Sequence, residues 1–280
     1  MKKFIIFLSL LLFTTNYAYS AECSYKCAEP YDMNGKVRTF FSNITGLNLT
    51  RRKITEAVIK KTISKSVKGD KIKVNINSYS SKDLANGIFK SLTMSGSNLD
   101  INGVHLSYLE LKSLCEFNYI QYDKKGNLTF KEDFPMSFNM KVSSDDINKS
   151  MESEKYQKAI SSVNRFAFAG IKVTSTQSSI RGNKFYYTIF YSVPFMKDQK
   201  VELEADLKVD NGKISLKNTR LTSNSKLIDL NKVDSIMQRI NPLDFSVNVF
   251  NNKSAKIYVK NVAIKNNIIV SDGVIIIPKD

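Results

Sequence analysis

A chain of 280 residues with 42 Lys and Arg against 26 Asp and Glu carries a formal charge of +16. Such a surplus favours anionic partners such as lipid headgroups, wall polymers or nucleic acid, although Lys, Asn, Ser and Ile are all abundant and a compositional bias offers a blander origin. One histidine and three cysteines argue against a thiolate or imidazole metal centre and against most histidine acid–base relays.

The N-terminus reads as an export signal. Lys2 and Lys3 precede an apolar run from Phe4 to Phe13, and Ala18-Tyr19-Ser20 has the small-x-small form of a cleavage site. The run is about half the ~20 residues that a spanning helix needs. Residues 1–20 are therefore expected to be a removed signal peptide, with an uncleaved anchor as the alternative. Export implies a periplasmic or extracellular protein, free or membrane-peripheral, in a setting where disulfides persist. Cys23, Cys27 and Cys115 allow a small Cys23–Cys27 loop or a Cys27–Cys115 bridge that pins the terminus to the sheet, and spacing does not choose between them. Residues 21–35 read as a flexible, cysteine-containing segment. Residues 36–280 read as a single domain, because no low-complexity linker divides them.

In chain order, Val37, Phe40, Phe41, Ile44 and Leu47 form one narrow apolar stripe on a helix. A second helix is expected from Thr50 through Val67, ending at Gly69, with Ile54, Val58, Ile59 and Ile63 on its apolar side. Arg51, Arg52, Lys53, Lys60 and Lys61 make it densely basic, which suits either a solvated face or a helix resting on anionic headgroups. Strands follow. Ile72, Val74 and Ile76 alternate with polar residues, Leu92 and Met94 continue the pattern, and Asn102-Gly103 marks a hairpin. The apolar phase shifts between Tyr108 and Leu109, the sign of a bulge or bend. Met136, Phe138, Met140 and Val142 form another alternating strand, which runs into a helix capped by Ser143 and Asp146. That helix pauses at Ser153 and resumes to about Phe166. Phe185, Tyr187, Ile189 and Tyr191 oppose Tyr186 and Phe190 on a strand that is oily on both faces, as expected of a strand sandwiched between layers. Val201, Leu203, Ala205, Leu207 and Val209 alternate with Glu202, Glu204, Asp206, Lys208 and Asp210. That pattern predicts one oily and one solvated face, with a turn at Asp210-Asn211-Gly212. A third helix carries Leu230, Val233, Ile236, Met237 and Ile240, and strands from Phe245, Ala255 and Ile268 close the chain. Short connections favour antiparallel pairing, so the fold class is α+β.

Nothing in the chain prescribes a reaction. It lacks a Gly-x-Ser-x-Gly elbow, a P-loop and a His-Glu-x-x-His motif. His105 falls mid-strand, where a surface or packing role is the simpler reading. The carboxylate pairs Asp145/Asp146, Glu152/Glu154 and Glu202/Glu204 read as cap, helix surface and wet strand face. The expectation is a protein without catalysis, metal or cofactor. Nucleic acid is not an expected partner either, since the charge is spread along the chain and no recognition helix is visible.

Long amphipathic strands can curl around helices and leave an apolar interior larger than side chains fill. The candidate wall of such an interior is Ile72, Val74, Ile76, Leu92, Met94, Met136, Phe138, Met140, Phe185, Tyr187, Ile189, Val201, Leu203, Ala205 and Leu207, where Met adapts to irregular apolar partners. An ordinary filled core is the competing reading, and an exported structural or adhesion module would go with it.

Four stretches carry a family resemblance. KIKVNINSYSSKDLANGIFKSLTMSGSNLDINGVHLSYLELK, FNMKVSSDDINKSMESEKYQKAI, VELEADLKVDNGKISLKNTRL and the closing helix, Pro242-Leu243 and paired strands resemble, in order, the elements of the LmeA-like phospholipid-binding family of exported bacterial proteins. The resemblance implies a long, curved, mainly antiparallel sheet wrapped around amphipathic helices, akin to tubular lipid-binding folds. It also implies binding of a phospholipid or other acyl-chain lipid, contact with an anionic membrane surface, and a role in maintaining the cell envelope. It carries no catalytic residues.

Overall fold

The structure is a computed structural model that describes residues 24–28, 67–122, 128–165, 170–196, 199–222, 241–243, 248–250 and 253–280, with Asn231, Val233, Ile236, Met237 and Ile240 as isolated helical positions. The expected helices over Lys36–Leu47 and from Thr50, the turn at Lys125-Gly126-Asn127, and Cys23 lie outside the described residues. Fifteen strands and three helices occur among those described: β1 (Val67–Asn77), α1 (Ser81–Ala85), β2 (Ile88–Phe89), β3 (Ser91–Ile101), β4 (Val104–Ser113), β5 (Asn118–Tyr122), β6 (Leu128–Phe130), β7 (Phe134–Val142), α2 (Ser144–Met151), α3 (Glu154–Arg165), β8 (Lys172–Arg181), β9 (Lys184–Ser192), β10 (Gln199–Asp210), β11 (Lys213–Leu221), β12 (Asn248–Phe250), β13 (Lys253–Ser254), β14 (Lys256–Lys265) and β15 (Ile268–Ile277). The protein is α+β with mostly antiparallel sheet and few helices. Among the described residues no helix is long and apolar enough to cross a membrane.

Two sheets dominate. One has six strands in the order β1-β3-β4-β7-β15-β14, and the other has four, β11-β10-β9-β8. Every described pairing in them is antiparallel. The hairpin turns Asn102-Gly103 and Asn211-Gly212 hold both residues at positive φ, the backbone that two-residue hairpin loops require and that Asn and Gly supply most readily. Val67 opens β1 opposite Ile101, so the Val67–Gly69 end expected of the second helix is strand instead. The pull of cross-strand pairing takes Val67 to Asp70 out of the helical pattern.

Helices α2 and α3 join the sheets. Ser143 and Asp146 form the expected reciprocal cap, and Ile147 and Met151 are buried. β7 ends at Val142, so the first half of β4 has no strand on that side. α2 lies there instead, and the His105 amide donates to Ser150 Oγ at 2.8 Å. The free edge of β8 is treated alike. The Asn148 side-chain amide donates to the Ser178 carbonyl at 3.1 Å, and its oxygen accepts from the Ser178 amide at 2.7 Å. Asn164 on α3 does the same at Val173, at 2.9 and 2.8 Å. Each asparagine stands in for a missing strand and blunts an edge otherwise open to pairing.

The four-stranded sheet is filled. Phe185, Tyr187, Ile189 and Tyr191 of β9 are all buried, as are Val201, Leu203 and Ala205 of β10. Each large side chain has a small partner on one side, Phe185 with Ala205 and Tyr187 with Ser178, and a larger one, Ile180 or Leu203, on the other. The Tyr156 hydroxyl of α3 bonds that of Tyr187 at 2.6 Å and donates to the Ile240 carbonyl at 3.2 Å. This ties the sheet, α3 and Ile240 together. Burial holds the Tyr187 hydroxyl well above the usual phenol pKa, so it stays a neutral donor.

Two expectations about this sheet need correction. β9 is not sandwiched, because Tyr186 and Phe190 are only half-buried on its outer face. Nor is that face freely solvated. Glu204 is buried under an exposed Arg220, bonded at 2.8 Å, and accepts from Tyr186 at 2.9 Å. Arg181 lies over the Tyr186 ring at 3.9 Å from its centre, a favourable cation–π placement. The alternation identifies the face, and the long Arg and Tyr side chains then cover it.

Candidate functional site

The six-stranded sheet carries a row of side chains across five strands: Met94, Leu111, Phe138, Gly273 and Val259 are successive cross-strand partners. At roughly 4.8 Å per strand the row is about 19 Å wide. Gly96, Leu109 and Met140 form part of a second row. At Gly273 the Phe138 ring comes close to the backbone, since a Cβ there would lie within 2.7 Å of the ring and 2.0 Å of the Tyr258 carbonyl oxygen. Apart from Gly273, these residues floor a cavity of about 610 Å³.

One end of the cavity is made by a change of face. Apart from Ser95, on β3 the lining residues are Met94 and Gly96, then Leu99 and Ile101; on β4 they are Leu111 and Leu109, then Leu106 and Val104. Both strands step by three where alternation requires two. Their register does not slip, so the strands bend together. Asn98 stands at the step with φ +50°. On β1, Lys71 also has positive φ beside a register shift, and the Asn98 amide donates to Asp70 at 2.8 Å. The phase change read in the sequence is thus a bend rather than a one-residue bulge. It turns the apolar residues of both halves towards the same space. Leu99 leans over Gly96, where a Cβ would lie 2.8 Å from its methyl.

The opposite side is closed by Ile214, Met237 and Leu243, and the Val259 amide donates to the Gly212 carbonyl at 2.7 Å, joining the two sheets at the rim. Polar groups gather there: Asn211, Lys213, Asn241 and Lys256. Lys213 and Lys256 are exposed, and neither has an ion-pair partner among the described residues. No carboxylate, histidine or cysteine lines the cavity among the described residues. Nor does any described cluster of His, Cys, Asp or Glu have the makings of a metal site. An apolar hollow with cations at its rim can hold an apolar chain and a negative end group.

Comparison with protein families, with characterised proteins and with solved structures finds no match for this chain.

Of the wall residues expected from sequence, Ile72, Met94, Phe138 and Met140 line the cavity. Val74 is half-buried against the main core and does not line the hollow. Ile76, Leu92 and Met136 are buried in the main core and do not reach the hollow. Phe185, Tyr187, Ile189, Val201, Leu203, Ala205 and Leu207 all belong to the four-stranded sheet and pack its filled side. Their alternation is as regular as that of the true lining, so period alone does not separate the two. Arg51, Arg52, Lys53, Lys60 and Lys61 lie outside the described residues. Sequence reasoning missed Leu99, Leu106, Leu109, Leu111, Val259 and Ile275. The signal for the first four was the phase shift at Tyr108–Leu109, followed through on its partner strand.

Of the alternatives for the cysteines, the structure has Cys27–Cys115, with Cα atoms 5.4 Å apart. It fixes residues 24–28 beside a small second core of Tyr79, Ile88 and Phe117, against which Ala28 packs.

Proposed function

We propose that this protein is an exported, non-enzymatic phospholipid-binding or lipid-transfer protein of the LmeA-like kind, serving the cell envelope. In this reading the six-stranded sheet is the lipid-holding wall of a tubular lipid-binding-like fold. The observation that carries it is the hollow of about 610 Å³, floored by Met, Leu and Phe and rimmed by Lys213 and Lys256. Its volume falls within the roughly 300–1,000 Å³ of small-molecule sites. At about 0.8 kcal/mol per buried CH₂, a chain of ~16 carbons gains roughly 12 kcal/mol on leaving water, nearly what a bilayer offers. Exchange between pocket and membrane is then close to neutral, as a carrier requires. The lysines suit a phosphate at the rim.

Mass spectrometry of organic extracts from natively purified protein is expected to find acyl lipid. A fluorescent phospholipid is expected to load into the wild type and to load less well into Leu109→Trp, which puts a bulky ring into the hollow, with circular dichroism unchanged. Lipid-free extracts together with no uptake by the wild type would overturn the reading and favour a structural or adhesion module.

A further inference from the structure

At the far end of β10 from the cavity rim, about 36 Å away at ~3.3 Å per residue, the β9–β10 connection presents Pro194, Phe195 and Met196. Phe195 has 108% and Met196 50% of reference exposure. The Met196 amide donates to the Val193 carbonyl at 3.1 Å, closing a turn with Pro194 second and Phe195 third. Phe195 has φ +66°, the left-handed backbone that favours glycine at the third position of such a turn. A bulky aromatic therefore holds a strained position while packing on none of the described residues. Neither folding stability nor solubility explains it.

Its surroundings are cationic. Arg165 ends α3, Lys172 opens β8 opposite Ser192, and Lys200 lies on β10 opposite Phe190. All three are exposed, and none is ion-paired among the described residues. Gly170, just before β8, lies against the turn, since a Cβ on it would sit 3.1 Å from Pro194 Cγ. Lys197 and Asp198, next in the sequence, cancel in formal charge.

We propose that this tip is a membrane-insertion anchor: Phe195 and Met196 enter the acyl boundary of an anionic bilayer while Arg165, Lys172 and Lys200 meet its headgroup phosphates. An apolar prow behind a basic collar has the chemistry of an interfacial anchor. The anchor goes beyond the cavity reading and stands without it.

The chain contains no tryptophan, so Phe195→Trp in the full-length mature protein is a single reporter. Its emission is expected to shift to the blue on adding vesicles of phosphatidylcholine mixed with phosphatidylglycerol, and to stay put with phosphatidylcholine alone. Phe195→Gly is expected to weaken co-sedimentation with the mixed vesicles by about tenfold or more. Its melting temperature is expected to be unchanged or higher, because glycine relieves the backbone. Lys172→Glu with Lys200→Glu is expected to weaken it too. Wild-type protein that ignores the mixed vesicles, emission of the Phe195→Trp variant unmoved by them, or Phe195→Gly binding as tightly as wild type would each overturn the anchor. Lipid found in extracts of the purified protein is a separate readout, so failure here leaves the cavity reading standing, and the reverse.

Discussion

The two sheets obey the same two-residue period and reach opposite ends. In the four-stranded sheet, Phe185 faces Ala205, Tyr187 faces Ser178, and the Tyr156 hydroxyl completes the layer from above. In the six-stranded sheet, rows of Met, Leu and Phe run side by side with no aromatic layer over them among the described residues, and a hollow of about 610 Å³ lies against them. Apolar alternation says which face leaves water. Whether that face is filled depends on whether the volumes set against it match, because interiors tolerate little mismatch before a void or strain results.

The largest test of this contrast truncates a side chain in each half. Phe185→Ala is expected to cost about 3–5 kcal/mol, the range for an aromatic removed from a packed core. Met94→Ala is expected to cost about 1 kcal/mol, since its side chain already borders empty space. Urea unfolding measures both, and equal losses would mean that the hollow packs like a core. The converse change is smaller and sharper. Ala205→Leu has no room beside Phe185 and is expected to destabilise by about 1–3 kcal/mol. Met94→Phe is expected to hold stability within about 0.5 kcal/mol or to raise it, as cavity-filling changes do.

The smallest effect is electrostatic and confined to the outer face of the filled sheet. Hydrogen bonding from Arg220, then from Tyr186, holds the Glu204 carboxyl below its usual range. Lys184, then Asn218, does the same for Asp206. A carboxylate whose folded pKa is depressed contributes stability above its unfolded pKa and loses it as pH falls through the folded one. The melting temperature of the wild type should therefore drop as pH falls below about 4. The drop should be shallower in a Glu204→Gln, Asp206→Asn variant. Parallel curves for the two would remove these groups from the acid response.

Much of the architecture was legible in the chain. The Asn102-Gly103 and Asn211-Gly212 turns, the Ser143–Asp146 cap, the pause at Ser153 and the inward sets of β7, β9 and β10 all follow from local spacing, and local spacing is where turn and cap energetics act. Other features were not local. Val67 reads as helix until Ile101 is across from it, and Glu204 reads as solvated until Arg220 and Tyr186 close over it. Leu207 and Leu109 are both leucines on alternating strands, yet only Leu109 borders the hollow.

By itself the sequence determined that this protein is built from antiparallel strands with amphipathic helices, and which face of each strand leaves water. Side-chain period and turn chemistry are properties of neighbours along the chain. Only the tertiary structure decided that Cys27 pairs with Cys115, that β3 and β4 bend together at Asn98, and that the oily face of one sheet is full while the other encloses a cavity. Those outcomes depend on the volume and direction of side chains brought together from distant strands, which no stretch of sequence specifies alone.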